Sequence, residues 1–240
     1  MIRADKFRRF ALCGLLLVTA AALPVHARSD TAAASASLDA TDAYRLTILK
    51  MKGQLSVARA LVQLRAPGAD YHLQQPLQAI FQNAESEFEQ RGAPFTADFL
   101  EQLANVSADD PATTLATITS AANALDGSFA QTGAMDMKSA LAITASLLRD
   151  AVADYAAAVT DYEVVDLQRY QSGRGLVTEA EALVRYHGGL RGRPGHEELV
   201  KSVVLIRQAW PGIIPPPIVF DPASVEARLG EAIAAMENLR

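Results

Sequence analysis

Between Met135 and Ser172 the chain contains neither glycine nor proline, and Leu141, Leu148, Val152, Tyr155, Val159 and Tyr162 recur at intervals of seven, four and three residues. That spacing is the buried seam of a helix in a bundle. The stretch predicts one long central helix, ended or kinked at Gly173-Arg174-Gly175 and resumed over 176–187 by Leu176, Ala180, Leu183 and Val184. A helix of that length needs neighbours to cover its apolar stripe, so the chain is bound to supply more helices.

The flanking sequence supplies them. Leu46, Leu49, Val57, Ala60 and Leu64 form a stripe closed by Pro67-Gly68, which predicts a helix over 40–65 with Gly53 inside it to allow a close crossing. A second helix is expected from Pro76 to Gly92, and a short third one through Phe95, Phe99, Leu100 and Leu103 with Thr96 as N-cap. Asp110-Pro111 opens a fourth, to about Gly127, and Leu199, Val203, Ile206 and Ala209 mark another that stops at Trp210-Pro211. Asp221-Pro222 caps a last helix, 223–239. Between these two, residues 211–222 hold five of the eleven prolines and read as an extended strap; prolines also keep Ile213-Ile214 and Ile218-Val219-Phe220 out of any ladder. The fold class is therefore all-α: a helical bundle with one long central helix, short helices and a proline-rich extended strap.

Residues 1–27 have the three parts of a signal peptide. Arg3, Lys6, Arg8 and Arg9 precede the apolar run Ala11 to Ala22, and Val25-His26-Ala27 offers a small-residue cleavage site before Arg28. Residues 28–38 read as a disordered leader, and 39–240 as a single all-helical domain with a sub-division allowed near 128–135. The expected location is periplasmic or secreted, with no stable membrane insertion after cleavage, because no later apolar run reaches spanning length. Cys13 is the one cysteine and leaves with the signal, so thiolate chemistry and disulfides are not expected in the remainder. Removal of a segment of net charge +3 takes the chain from −5 to −8. Nucleic acid is accordingly not an expected partner, since its binding rests on positive surface.

Sites of chemistry are scarce. Three histidines remain, His72, His187 and His196, none with a second ligand at helical spacing, and no HExxH occurs. Glu85, Glu87 and Glu89 read as a solvated acidic face, and Tyr155, Tyr162 and Tyr170 as bundle core. There is no nucleophile elbow, Walker loop or assembled nucleophile and base, so no catalytic residue, enzymatic activity or cofactor is expected. The most site-like stretch is the glycine-rich loop carrying Arg185, His187, Arg191, Arg193 and His196 ahead of a helix start, a candidate for binding an anion.

Two short motifs add a resemblance. Met51-Lys52-Gly53-Gln54-Leu55, followed by Tyr71-His72-Leu73-Gln74-Gln75-Pro76, resembles a group of secreted helical proteins with the pattern M-x-G-H-L and then H-x-x-H-P with an acidic residue. Ala151 to Ala182, with Tyr155, Tyr170-Gln171 and Gly175, is similar to that group and to periplasmic helical domains of bacterial iron permeases. The resemblance implies a link to metal uptake. Gln54 and Gln75 stand where it implies histidines, so any metal site at Gln54, His72 and Gln75 is expected to be a relic, neutral amides being poor replacements for imidazole on a transition metal. The expected function is that of a periplasmic binding or accessory protein of undetermined ligand. The alternative is a scaffold that docks a protein partner on its long helix and proline strap.

Overall fold

Aspartate starts the long helices of this protein. The computed structural model describes residues 38–106 and 110–239. In them Asp39, Asp110, Asp136, Asp166 and Asp221 each accept the backbone N–H three residues on, satisfying an otherwise orphaned donor. The helices so opened are α1 (Ala40–Leu64), α5 (Pro111–Ala130), α6 (Met137–Ala158), α7 (Leu167–Tyr186) and α9 (Pro222–Glu237). Shorter ones are α2 (Ala69–Gln82), α3 (Glu85–Gln90), α4 (Ala97–Ala104) and α8 (His196–Arg207). The protein is an all-α helical bundle, and among the described residues no helix is long and apolar enough to cross a membrane. The expected signal peptide, 1–27, and all but the last residue of the expected leader, 28–38, lie outside the described residues.

The single long central helix is a correction. Residues 137–158 and 167–186 are separate helices, joined by a minimal hairpin of β1 (Val159–Thr160) and β2 (Glu163–Val164) with Val159 opposite Val164. Asp161 and Tyr162 both take positive φ, 51° and 64°, as a two-residue type I′ turn requires. The break needs no glycine or proline: β-branched Val159, Thr160, Val164 and Val165 favour extended backbone, and Asp166 then caps α7. The seam ends accordingly, with Val159 buried and Tyr162 56% exposed, so Tyr162 is not core.

Gly173 and Gly175, expected to end a helix, lie inside α7. They serve packing: a β-carbon on Gly173 would sit 3.0 Å from the Ala151 carbonyl oxygen and 3.0 Å from the Trp210 ring, and Gly175 faces Gly53 of α1. The second helix also starts earlier than expected, at Ala69, with Gly68 at φ 99° before it and Pro76 in its interior. Pro76 has no N–H to give the carbonyl of His72.

Two apolar clusters fill the bundle. One joins α6, α7, α8 and α9 around Tyr155, Tyr170 and Trp210; the other joins α1, α2 and α5 with Phe81, Phe88 and Phe95, and Phe129 packs against both. Buried Arg45 of α1 crosses to residues 132–134, giving Nη2 to the carbonyls of Thr132, Gly133 and Ala134 and Nη1 to Asp42.

The segment 211–221 carries no helix or ladder and is tied down by side chains of α6 and α7. Tyr155 Oη donates to the Phe220 carbonyl at 2.9 Å, Tyr170 Oη to Gly212 at 3.4 Å, and Trp210 Nε1 to Tyr170 at 2.8 Å. Val219 N–H reaches the carbonyl of Tyr162 in the hairpin at 3.0 Å. Ile213 and Val219 point inward and are buried; Ile214, Ile218 and Phe220 remain exposed.

Candidate functional site

α1, α2 and α7 each bring one uncharged polar side chain to the same buried point. Gln54, His72 and Gln171 are all nearly or fully inaccessible to solvent. His72 Nδ1 stands 2.8 Å from Gln54 Oε1 and Nε2 stands 3.0 Å from Gln171 Oε1, while Gln171 Nε2 donates to the Ile213 carbonyl at 3.3 Å. Burial is the main influence on the imidazole and pushes its pKa down, against Gln171 and the more distant Asp70, which push it up. The ring is therefore neutral at neutral pH.

A neutral imidazole has one N–H, so it cannot donate to two amide oxygens. Gln171 is oriented by the strap, because its nitrogen faces the Ile213 carbonyl; its oxygen faces the ring, and Nε2 carries the proton. Nδ1 must then accept. The Gln54 amide, turned by the half-rotation that exchanges its oxygen and nitrogen, gives one hydrogen to Nδ1 and the other toward Ser172 Oγ, which lies 3.4 Å from the same amide atom. The result is a chain of hydrogen bonds from α1 through His72 and Gln171 to the strap.

The three sequence candidates do not all meet. Gln54 and His72 do, whereas Gln75 is exposed on α2. The third member is Gln171, within the Tyr170-Gln171 pair that carries the resemblance, and its role had no separate signal in the sequence: a polar residue between the seam residue Tyr170 and Ser172 reads as surface. As metal donors the set does not fit. Both imidazole nitrogens are engaged, and the remaining side chains are amides. Among the described residues no three His, Cys, Asp or Glu side chains come together at metal-holding range.

The chain matches no protein-family model, no curated protein and no solved structure.

The loop between α7 and α8 is held by its own polar side chains. Arg185 Nε pairs with Glu181 at 2.7 Å, and Arg207 takes the other oxygen of the same carboxylate at 2.6 Å. His187 Nε2 donates to the Met135 carbonyl at 2.9 Å, His196 Nε2 to Val184 at 3.0 Å, and Arg193 Nε to Gly189 at 2.9 Å. Arg191 is exposed. Four of the five candidate anion-binding side chains are thus engaged locally, and Glu197 and Glu198 occupy the first turn of α8, where an anion would have to approach. Of the acidic trio on α3, Glu87 is paired with Arg91 at 2.6 Å.

Proposed function

We propose that this chain is an exported helical-bundle accessory protein of the periplasm or cell exterior that acts by binding, and that the metal site implied by its resemblance is here replaced by an uncharged lock on the strap. The observation that carries the reading is the position of His72, held between Gln54 and Gln171 while Gln171 grips Ile213. An imidazole with both nitrogens engaged and its charged form disfavoured by burial serves to align amides, which is a structural task. Calorimetric titration with zinc should show no saturable site at micromolar affinity. A one-to-one site that His72→Ala removes would overturn the reading. N-terminal sequencing of the protein from the cell envelope should begin at Arg28, and an uncleaved Met1 there would remove export by a cleaved signal.

A second reading, a scaffold for a protein partner, is favoured by the surface of the strap and hairpin. Tyr162, Val165, Leu167, Ile214, Ile218 and Phe220 are all large, apolar and at least 40% exposed, and the Val219–Tyr162 backbone hydrogen bond ties the two segments together. Exposed apolar groups concentrated on two joined segments mark a contact surface. The exposed acids Asp161, Glu163 and Asp221 beside it outnumber the bases there, Arg169 and the Arg228 that stacks on Phe220, so the occupant it suits is an apolar protein segment flanked by basic residues. A synthetic leucine and lysine amphipathic peptide should bind with salt-sensitive affinity and lose that binding in Ile218→Asp. Equal binding by the variant, or preference for a leucine and glutamate peptide, would count against it.

A further inference from the structure

Glu179 is an acid without a partner. It lies on α7 one turn beyond the Gly175 crossing, is half-buried, and makes no hydrogen bond or ion pair with any described residue. Desolvation raises its pKa, with Lys52 opposing and Asp126 reinforcing the shift. Lys52 does not close on it, because its ammonium is bound to Asp126 at 2.6 Å. When ionised, a carboxylate in this half-buried position gains from a cation brought to it.

The carboxylate borders a pocket of about 200 Å³ in the groove between α1 and α5. Its apolar lining is Leu55, Ala60, Ile118 and Ala122, and Lys52, Ser56 and Gln63 also border it. Arg59 lines the pocket too, and its guanidinium has only the Thr119 hydroxyl, at 2.9 Å, among the described residues. Lys52 and Arg59 are seven residues apart on α1, which separates their levels by about 10 Å along the helix axis. Past its crossing with Gly53, α7 runs toward the start of α1, since His187 at its end meets the Met135 carbonyl and Arg45 meets those of residues 132–134; Glu179 therefore lies on the Lys52 side, with Arg59 toward the other end.

We propose that this groove binds a small linear zwitterion, its ammonium on Glu179, its carboxylate on Arg59, and its methylene chain over Leu55, Ala60 and Ile118. Each part of the molecule meets its complement: a half-buried acid without a hydrogen-bond partner, a guanidinium held by one hydroxyl alone, and apolar side chains between them. The volume is below that of drug-sized sites, which limits the ligand to a chain of a few carbons. The site is separate from the His72 cluster and does not depend on the reading of that cluster.

The test is calorimetric titration of the purified protein with ε-aminocaproate, with caproate and hexylamine as one-ended controls. The zwitterion should bind at least about ten-fold more tightly than either control, the equivalent of one charge-assisted contact. Glu179→Gln should bring its affinity down to that of caproate, and Arg59→Gln down to that of hexylamine. Glu179→Gln also removes an unpaired carboxylate, so it should melt no lower than the native protein, which separates lost binding from lost folding. No binding of ε-aminocaproate above the controls, or binding that survives Glu179→Gln, overturns the proposal.

Discussion

Gly175 of α7 lies so close to Gly53 of α1 that a β-carbon built on it would stand 2.6 Å from the Gly53 carbonyl oxygen and 2.9 Å from the carbonyl carbon. No side-chain adjustment relieves a clash with backbone, so the two helices would have to move apart. Gly175→Ala should therefore destabilise by about 2 to 3 kcal/mol, as overpacking of a close crossing does. Gly230, exposed in α9 with nothing within 4 Å of its added β-carbon, is the control: Gly230→Ala should stabilise by up to about 1 kcal/mol. Thermal melts of the two variants, moving in opposite directions, check both.

The hairpin that interrupts the seam carries strain of its own. Tyr162 holds φ 64° with a full side chain, a conformation that costs a non-glycine residue roughly 1 kcal/mol or more. Its backbone carbonyl, not its ring, holds the strap. Tyr162→Gly should leave that bond in place and match or modestly exceed native stability, after glycine's extra unfolded-state entropy is subtracted. If Tyr162 also belongs to the partner surface, the same variant should bind the basic amphipathic peptide less well.

Much of the all-helical outcome was legible because apolar spacing and aspartate or proline starts are local signals. The strap was legible too, since five prolines in twelve residues admit little else. What stayed hidden depends on distant contacts. Gly173 and Gly175 read as a helix end, and only the presence of Ala151, Trp210 and Gly53 beside them makes them interior. The break at Asp161-Tyr162 was masked because Val159 and Tyr162 continue the seam in sequence while only Val159 continues it in space. Gln171 joined the His72 centre from about a hundred residues away, where no spacing rule connects them.

Asp154 makes stability depend on pH in the direction opposite to an ion-paired acid. Burial, its largest influence, raises its pKa from 3.8 to about 6, with Asp150 and Asp166 adding to the rise and Arg169 and Lys50 opposing it. The folded state therefore holds this proton more tightly than the unfolded chain. Its contribution is fully present below about pH 4 and is lost as pH rises through about 6. Asp154→Asn should gain stability relative to the native protein as pH increases from 4 to 7, read as a widening difference in denaturant midpoint; a constant difference would show that Asp154 is not desolvated.

His72→Ala should be more costly than an isolated histidine suggests. Truncation leaves the Gln54 and Gln171 amides buried without their shared partner and opens a cavity, a loss of about 2 to 4 kcal/mol. Gln75→His should create no metal site, because that side chain faces solvent. Gln54→His with Gln171→His places three imidazoles around one point instead, and zinc should raise the melting temperature of that variant. Equal zinc stabilisation of a Gln54→His, Gln75→His variant would contradict the placement of Gln75.

The most direct measurement of the lock is nitrogen NMR of the His72 imidazole at neutral pH, before and after addition of one equivalent of zinc. The ring should be neutral, with the proton on Nε2 and Nδ1 unprotonated, and zinc should leave the spectrum unchanged. A doubly protonated ring, or nitrogen resonances that move to a metal-bound position, would contradict it.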